Sequence, residues 1–93
     1  MEGSQGDNVS MVVNTGRLPS PVIAWFKDEE PIMSNSQLEI SQDPEHSKLM
    51  VLHVTPADSG TYKCVATSVI GTITKKFLLN IEGNLILNYF DSF

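Results

Sequence analysis

The sequence has a single cysteine, Cys64, so no disulfide can form within it. A secreted domain of this size usually relies on at least one. Positive charge is also scarce. Six Lys and Arg against eleven Asp and Glu leave a formal net charge of −5, and Lys75-Lys76 is the only basic pair. Cations this few and scattered make no stripe that could follow a phosphate backbone or hold an anionic membrane surface, so neither nucleic acid nor membrane is an expected partner. No stretch approaches the ~20 apolar residues needed to cross a bilayer. The opening MEGSQGDN lacks the basic start and apolar core of a secretory signal, which a piece of a longer chain would lack in any case. A sustained helical period is missing too.

What is present is a folded composition, 41% hydrophobic and 18% charged over 93 residues, enough for one domain with one core. Apolar residues recur at every second position in short runs divided by turn residues, which predicts an all-β chain. Val9, Met11, Val13 and Thr15 form the inward side of a first run that ends at Gly16. Pro19 and Pro21 stand at the entrance of a second, where Ile23 and Trp25 point inward, because proline cannot donate to an inner ladder. Asp28 to Pro31 reads as a turn, and QLEISQ as a weak strand with Leu38 and Ile40 on one side. SQDPEHS reads as a loop. KLMVLHVT then carries Leu49, Val51 and Val54 inward, and PADSG makes a turn. In TYKCVATS, Tyr62, Cys64 and Ala66 share a face. VIGT has the composition of a hairpin tip, with Gly71 free to take positive φ. The last run carries Phe77, Leu79 and Ile81 inward. Seven or eight short strands in some 80 residues predict a two-sheet sandwich.

With PSPVIAWFKDEEPI around Trp25, and KLMVLHVTPADSGTYKCVATSVIG ending in the glycine of a hairpin, the chain resembles an I-set immunoglobulin domain over roughly residues 1–82. That resemblance implies a β-sandwich with Trp25 at the core tryptophan and Tyr62 in a tyrosine corner, its hydroxyl bonding backbone near Asp58. Counting back from Trp25 in steps of two, Val13 takes the place of the family's first cysteine. Val13 and Cys64 then face each other beside Trp25 as two apolar groups, without the inter-sheet disulfide, and Leu49 and Val51 complete this structural core. A domain that persists without the bridge fits a reducing compartment, like many titin-like, obscurin-like, myosin-binding and palladin-like members.

Three departures from the family pattern carry expectations. Asp58 often pairs with a basic residue, and with no Arg after Arg17 the candidates are Lys48 and His46. Glu29 stands where glycine is usual in the turn after the tryptophan strand. The segment before Asn8 is too short for a full strand of its own, which leaves the edge beside the Val9–Thr15 run open.

No enzyme constellation emerges, and no cofactor or metal is expected. His46, placed in a loop, and His53, placed on a strand, have no ligand spacing. Glu29-Glu30 diverge as neighbours in a turn. Ser59 has no histidine with a reason to approach it. Cys64 is expected to be an inert buried thiol, since an active one needs a neighbouring base or cation. Asn8-Val9-Ser10 is a glycosylation sequon that would matter only in a secreted chain.

Residues 83–93 form an apolar C-terminal extension in which NLILNYFDSF carries Leu85, Ile86, Leu87, Tyr89, Phe90 and Phe93. Either the last strand runs on or a short helix folds back, or the segment docks on a partner or an open strand edge. The second reading predicts chain exchange or a homodimer through Leu85, Leu87, Tyr89, Phe90 and Phe93. Val69 and Ile70 at the hairpin tip are further candidate contacts for a partner or an adjacent domain. The function expected is a non-catalytic protein-binding and structural module of a larger cytoplasmic scaffold, cytoskeletal or sarcomeric. An extracellular adhesion or receptor domain, or an accessory domain of a myosin light-chain kinase-like enzyme, is the alternative.

Overall fold

The structure, a computed structural model, describes residues 2–82. Eight strands follow in order: β1 (Glu2–Ser4), β2 (Val9–Asn14), β3 (Val22–Lys27), β4 (Glu30–Pro31), β5 (Leu38–Gln42), β6 (His46–Val51), β7 (Gly60–Ser68) and β8 (Gly71–Glu82), with a 3-10 turn at Pro56–Asp58 before β7. They form two sheets, β1-β8-β7-β3-β4 and β2-β6-β5. All pairings are antiparallel except β1 with β8, which is parallel from Glu2↔Asn80 to Ser4↔Glu82.

The alternation of the sequence becomes the burial pattern. In β2 every odd position is buried and every even one exposed, and β6 alternates likewise, burying Ser47, Leu49 and Val51 and leaving the positions between them half-buried. The pleat sends successive side chains to opposite faces, so one register sets a whole strand's contribution to the core. Met11, Leu49, Val51, Val54, Tyr62, Cys64 and Leu79 are almost wholly sequestered there, with Val13, Trp25 and Ile81 beside them. Trp25 stacks on Phe77 with ring centroids 6.2 Å apart and planes 25° from parallel. Such offset ring pairs add to plain area burial.

The stretch expected to be a loop, SQDPEHS, is mostly ladder. β5 runs to Gln42 and β6 begins at His46, leaving Asp43–Glu45 as the connection. The Asp43 carboxylate accepts from the backbone N–H of Glu45 (2.8 Å) and of His46 (2.7 Å), closing the turn locally. His46 therefore starts a strand. His53 lies outside one, at φ 48°, with its N–H donated to Asn8 Oδ1 at 3.0 Å. That reverses the two expected placements. The strand ends early because a left-handed residue cannot continue the ladder, yet Val54 still reaches the core.

Neither Lys48 nor His46 meets Asp58. The Asp58 carboxylate accepts from Thr55 N–H at 2.8 Å in a capping box, and Lys27 Nζ donates to the neighbouring Ala57 carbonyl at 3.0 Å. His46 instead lies 3.4 Å from Asp43. Asp43 is held below the usual carboxylate range, chiefly by its two backbone hydrogen bonds.

Candidate functional site

A polar contact joins the apolar core in which Val13, Trp25 and Cys64 are all buried. Val13 pairs in register with Ser47, and Trp25 with Cys64. The Trp25 indole N–H donates to Ser47 Oγ at 3.0 Å, and the same hydroxyl hydrogen-bonds with the Cys64 thiol. Ser47 is fully buried, so this hydroxyl satisfies the one polar atom that a buried tryptophan brings. Burial pushes the Cys64 thiol up to about 11, only partly opposed by Ser47. A thiol that resists ionisation is a poor nucleophile and a poor metal ligand.

The Tyr62 hydroxyl donates to the Asp58 carbonyl at 2.5 Å. Burial, then the charges of Asp58 and Asp28, push its phenol up to about 12. Ser59 is likewise committed to structure, with Oγ accepting from Ile81 N–H at 2.9 Å. Among the described residues no group of three or more His, Cys, Asp or Glu could hold a metal ion. Glu29 reaches Lys63 at 3.2 Å, and Lys63 also lies over the Phe26 ring at 4.9 Å.

Apart from the singly exposed Val12, Met33 and Leu78, exposed apolar side chains gather at one pole of the sandwich, where the entrance to β3 meets the β7–β8 hairpin. Pro19 and Pro21 flank Ser20, which is left-handed at φ 45°, and the strand begins only past the second proline. Val22 there is 72% exposed. Across the hairpin, Ser68 Oγ accepts from Ile70 N–H at 3.2 Å and donates to the Gly71 carbonyl at 3.3 Å. The turn thus closes with Val69 93% and Ile70 69% exposed. Between the two lies a cleft of about 510 Å³ lined by Pro19, Ser20, Val22, Thr67, Ser68 and Val69. Sequence reading found Val69 and Ile70 but not Val22 or the cleft. Spacing gives no sign that a strand entrance and a hairpin tip some 45 residues apart share one end of the fold.

Strand edges complete the surface. Among the described residues β2 and β5 are the outer strands of one sheet and β4 of the other, and β1 covers β8 only from Asn80 to Glu82. The candidate contacts Leu85, Leu87, Tyr89, Phe90 and Phe93 lie outside the described residues.

The sequence profile of the immunoglobulin I-set domain matches residues 1–81. The chain is an immunoglobulin I-set domain. It is 37% identical to human hemicentin-1 over 76 residues, covering 82% of this chain and 1% of that protein. To the muscle M-line assembly protein unc-89 of Caenorhabditis elegans it is 31% identical over 87 residues, covering 91% and 1%. A chimeric titin Z1Z2 structure superposes with a TM-score of 0.81 at 34% identity, covering 90% of this chain and 87% of that one. The I-set chain thus spans about one hundredth of the two curated relatives. Such relatives include both intracellular muscle proteins and extracellular ones. The I-set domain itself is non-catalytic, and domains of this kind mediate protein binding.

Proposed function

We propose that this I-set domain is a protein-binding and spacing module of a larger cytoplasmic scaffold, cytoskeletal or sarcomeric. The observation that carries the reading is the interior pin. Its two sheets are held by Trp25, Ser47 and Cys64 without a covalent bridge, and the lone thiol is dry and kept protonated. A missing disulfide forgoes typically 2–4 kcal/mol, a loss most easily tolerated where thiols stay reduced and a bridge could not persist. The similarity to a muscle M-line assembly protein and to titin supports the sarcomeric context. Binding is assigned to the pole of Val22, Val69 and Ile70, where large apolar groups face water.

The test is to express the tagged chain in striated muscle cells. Banded enrichment along the sarcomere is expected, and loss of that banding with Val22→Asp or Val69→Asp would assign it to the pole. A uniformly diffuse chain would count against the reading. One observation favours an extracellular alternative: Asn8, in the sequon, is exposed. Efficient secretion behind a signal peptide with a glycan on Asn8, together with no banding in muscle cells, would reverse the assignment.

A further inference from the structure

We propose that the cleft between the β3 entrance and the β7–β8 hairpin receives the apolar segment Leu85–Phe93 of a second copy, joining copies head to tail. The inference rests on reading the domain as a protein-binding module and names its partner.

Three observations converge. The first is chemical. No lining residue of the cleft is ionisable, and residues 84–93 carry six large apolar side chains and one charge, Asp91. Copies with a net charge of −5 repel one another, so contact is favoured where both surfaces lack charge. The second is size. At about 510 Å³ the cleft falls within the range of natural ligand pockets, and Val22 and Val69 supply exposed apolar walls for an extended segment bearing Leu, Tyr and Phe.

The third is reach, and it selects a second copy over the chain's own end. β8 leaves the cleft pole at Gly71 and delivers Glu82 to the far end after 12 residues, a distance of about 40 Å. Residues 83–93, fully extended, span at most about 40 Å. That length is exhausted in retracing β8, with nothing left for a reversing turn or for seating in the cleft. A neighbour stacked along the same axis presents its far end directly to the cleft. Donor and acceptor are then different surfaces, and a heterologous contact of this kind propagates into open chains and does not close as a symmetric dimer.

Sedimentation of the full chain over a concentration series tests this. Mass is expected to rise with concentration without a plateau at two copies. Val69→Asp, at a turn position 93% exposed, removes the acceptor, and Leu87→Asp combined with Phe90→Asp removes the donor. Each variant is expected to need about tenfold or more higher concentration to associate. An equimolar mixture of the two retains one working donor and one working acceptor, so it is expected to form heterodimers that grow no further. Retained Trp25 near-UV signal checks folding, and Val22→Asp replaces Val69→Asp if that variant unfolds. The proposal is overturned by a monomer at all concentrations, by a plateau at two for the unaltered chain, by an acceptor variant that associates normally, or by a mixture that stays monomeric. A chain that never self-associates can still band in muscle cells, so this inference and the binding reading fail separately.

Discussion

Two hairpins at opposite ends of the five-stranded sheet use two turn residues each, and they are built on opposite terms. The β3–β4 turn is Asp28-Glu29, both left-handed at φ 51° and 72°. Its strain is compensated by contacts. Asp28 N–H donates to the Thr61 carbonyl at 2.8 Å, Asp28 Oδ1 accepts from Thr61 N–H at 3.0 Å, and Glu29 reaches Lys63. The β7–β8 turn, Val69-Ile70, puts two β-branched residues at a tip where polar ones are usual, with only Ser68 closing it. One end gives up backbone comfort to fasten neighbouring strands. The other gives up turn chemistry to keep apolar surface in water, a choice that stability alone does not explain.

That contrast can be broken most sharply with glycine. A Cβ at Gly60, φ 153°, would sit 2.8 Å from both Asp28 carboxylate oxygens, whereas one at Gly71, φ 156°, would meet nothing within 4 Å. Gly60→Ala is expected to cost about 2–4 kcal/mol and Gly71→Ala about 1 kcal/mol, measured by urea denaturation. Equal costs would show that the fastened turn is not fastened through Asp28.

Alkaline pH probes the same end through Tyr62, whose phenol feels Asp28 and Asp58. Tyr62 rises from 10.0 to about 12 and Cys64 from 9.0 to about 11. Both groups hold protons in the fold that the unfolded chain releases, so their contribution is complete below pH 9 and is lost as pH climbs toward about 12. Denaturation midpoints are expected to stay level from pH 7 to 8.5 and then fall steeply. A flat profile to pH 11 would mean that neither hydroxyl nor thiol is held as described.

Smaller effects sharpen the comparison. Glu29→Gly relieves a left-handed residue at the loss of one exposed ion pair, with a net gain of about 0.5–1 kcal/mol in the same assay. At the other turn Val69→Ser is expected to change stability by less than about 0.5 kcal/mol, because the side chain packs on nothing within the domain. A large loss there would place Val69 in the core economy and not on a binding surface.

The inward positions were legible in the sequence because a period of two needs only the order of apolar and polar residues. Val9, Met11, Val13, Leu49, Val51, Tyr62 and Cys64 all follow it into the core. Ser47 did not announce itself. A hydroxyl between His46 and Lys48 reads as solvent-facing, and only the register Val13↔Ser47 carries it under the Trp25 indole. The Asp43 turn was hidden for the same reason, since a carboxylate closing its own backbone looks like any polar loop residue. The sequence marked Glu29 as unusual without giving its conformation, and four left-handed residues, Ser20, Asp28, Glu29 and His53, were invisible to residue type. Of the candidate surface, the hairpin tip could be read locally. The cleft could not, because it is assembled from distant segments.

The uncrosslinked pin has a mechanical corollary. When a polypeptide is pulled from both ends, a bridge between positions 13 and 64 would shelter the roughly 50 residues between them, leaving that portion unable to lengthen. Here no such bridge exists, so unfolding frees every residue from 2 to 82, about 280 Å of chain at ~3.5 Å per residue. A strand of such units would yield in full, repeatable steps and recoil without any sulfur chemistry to undo.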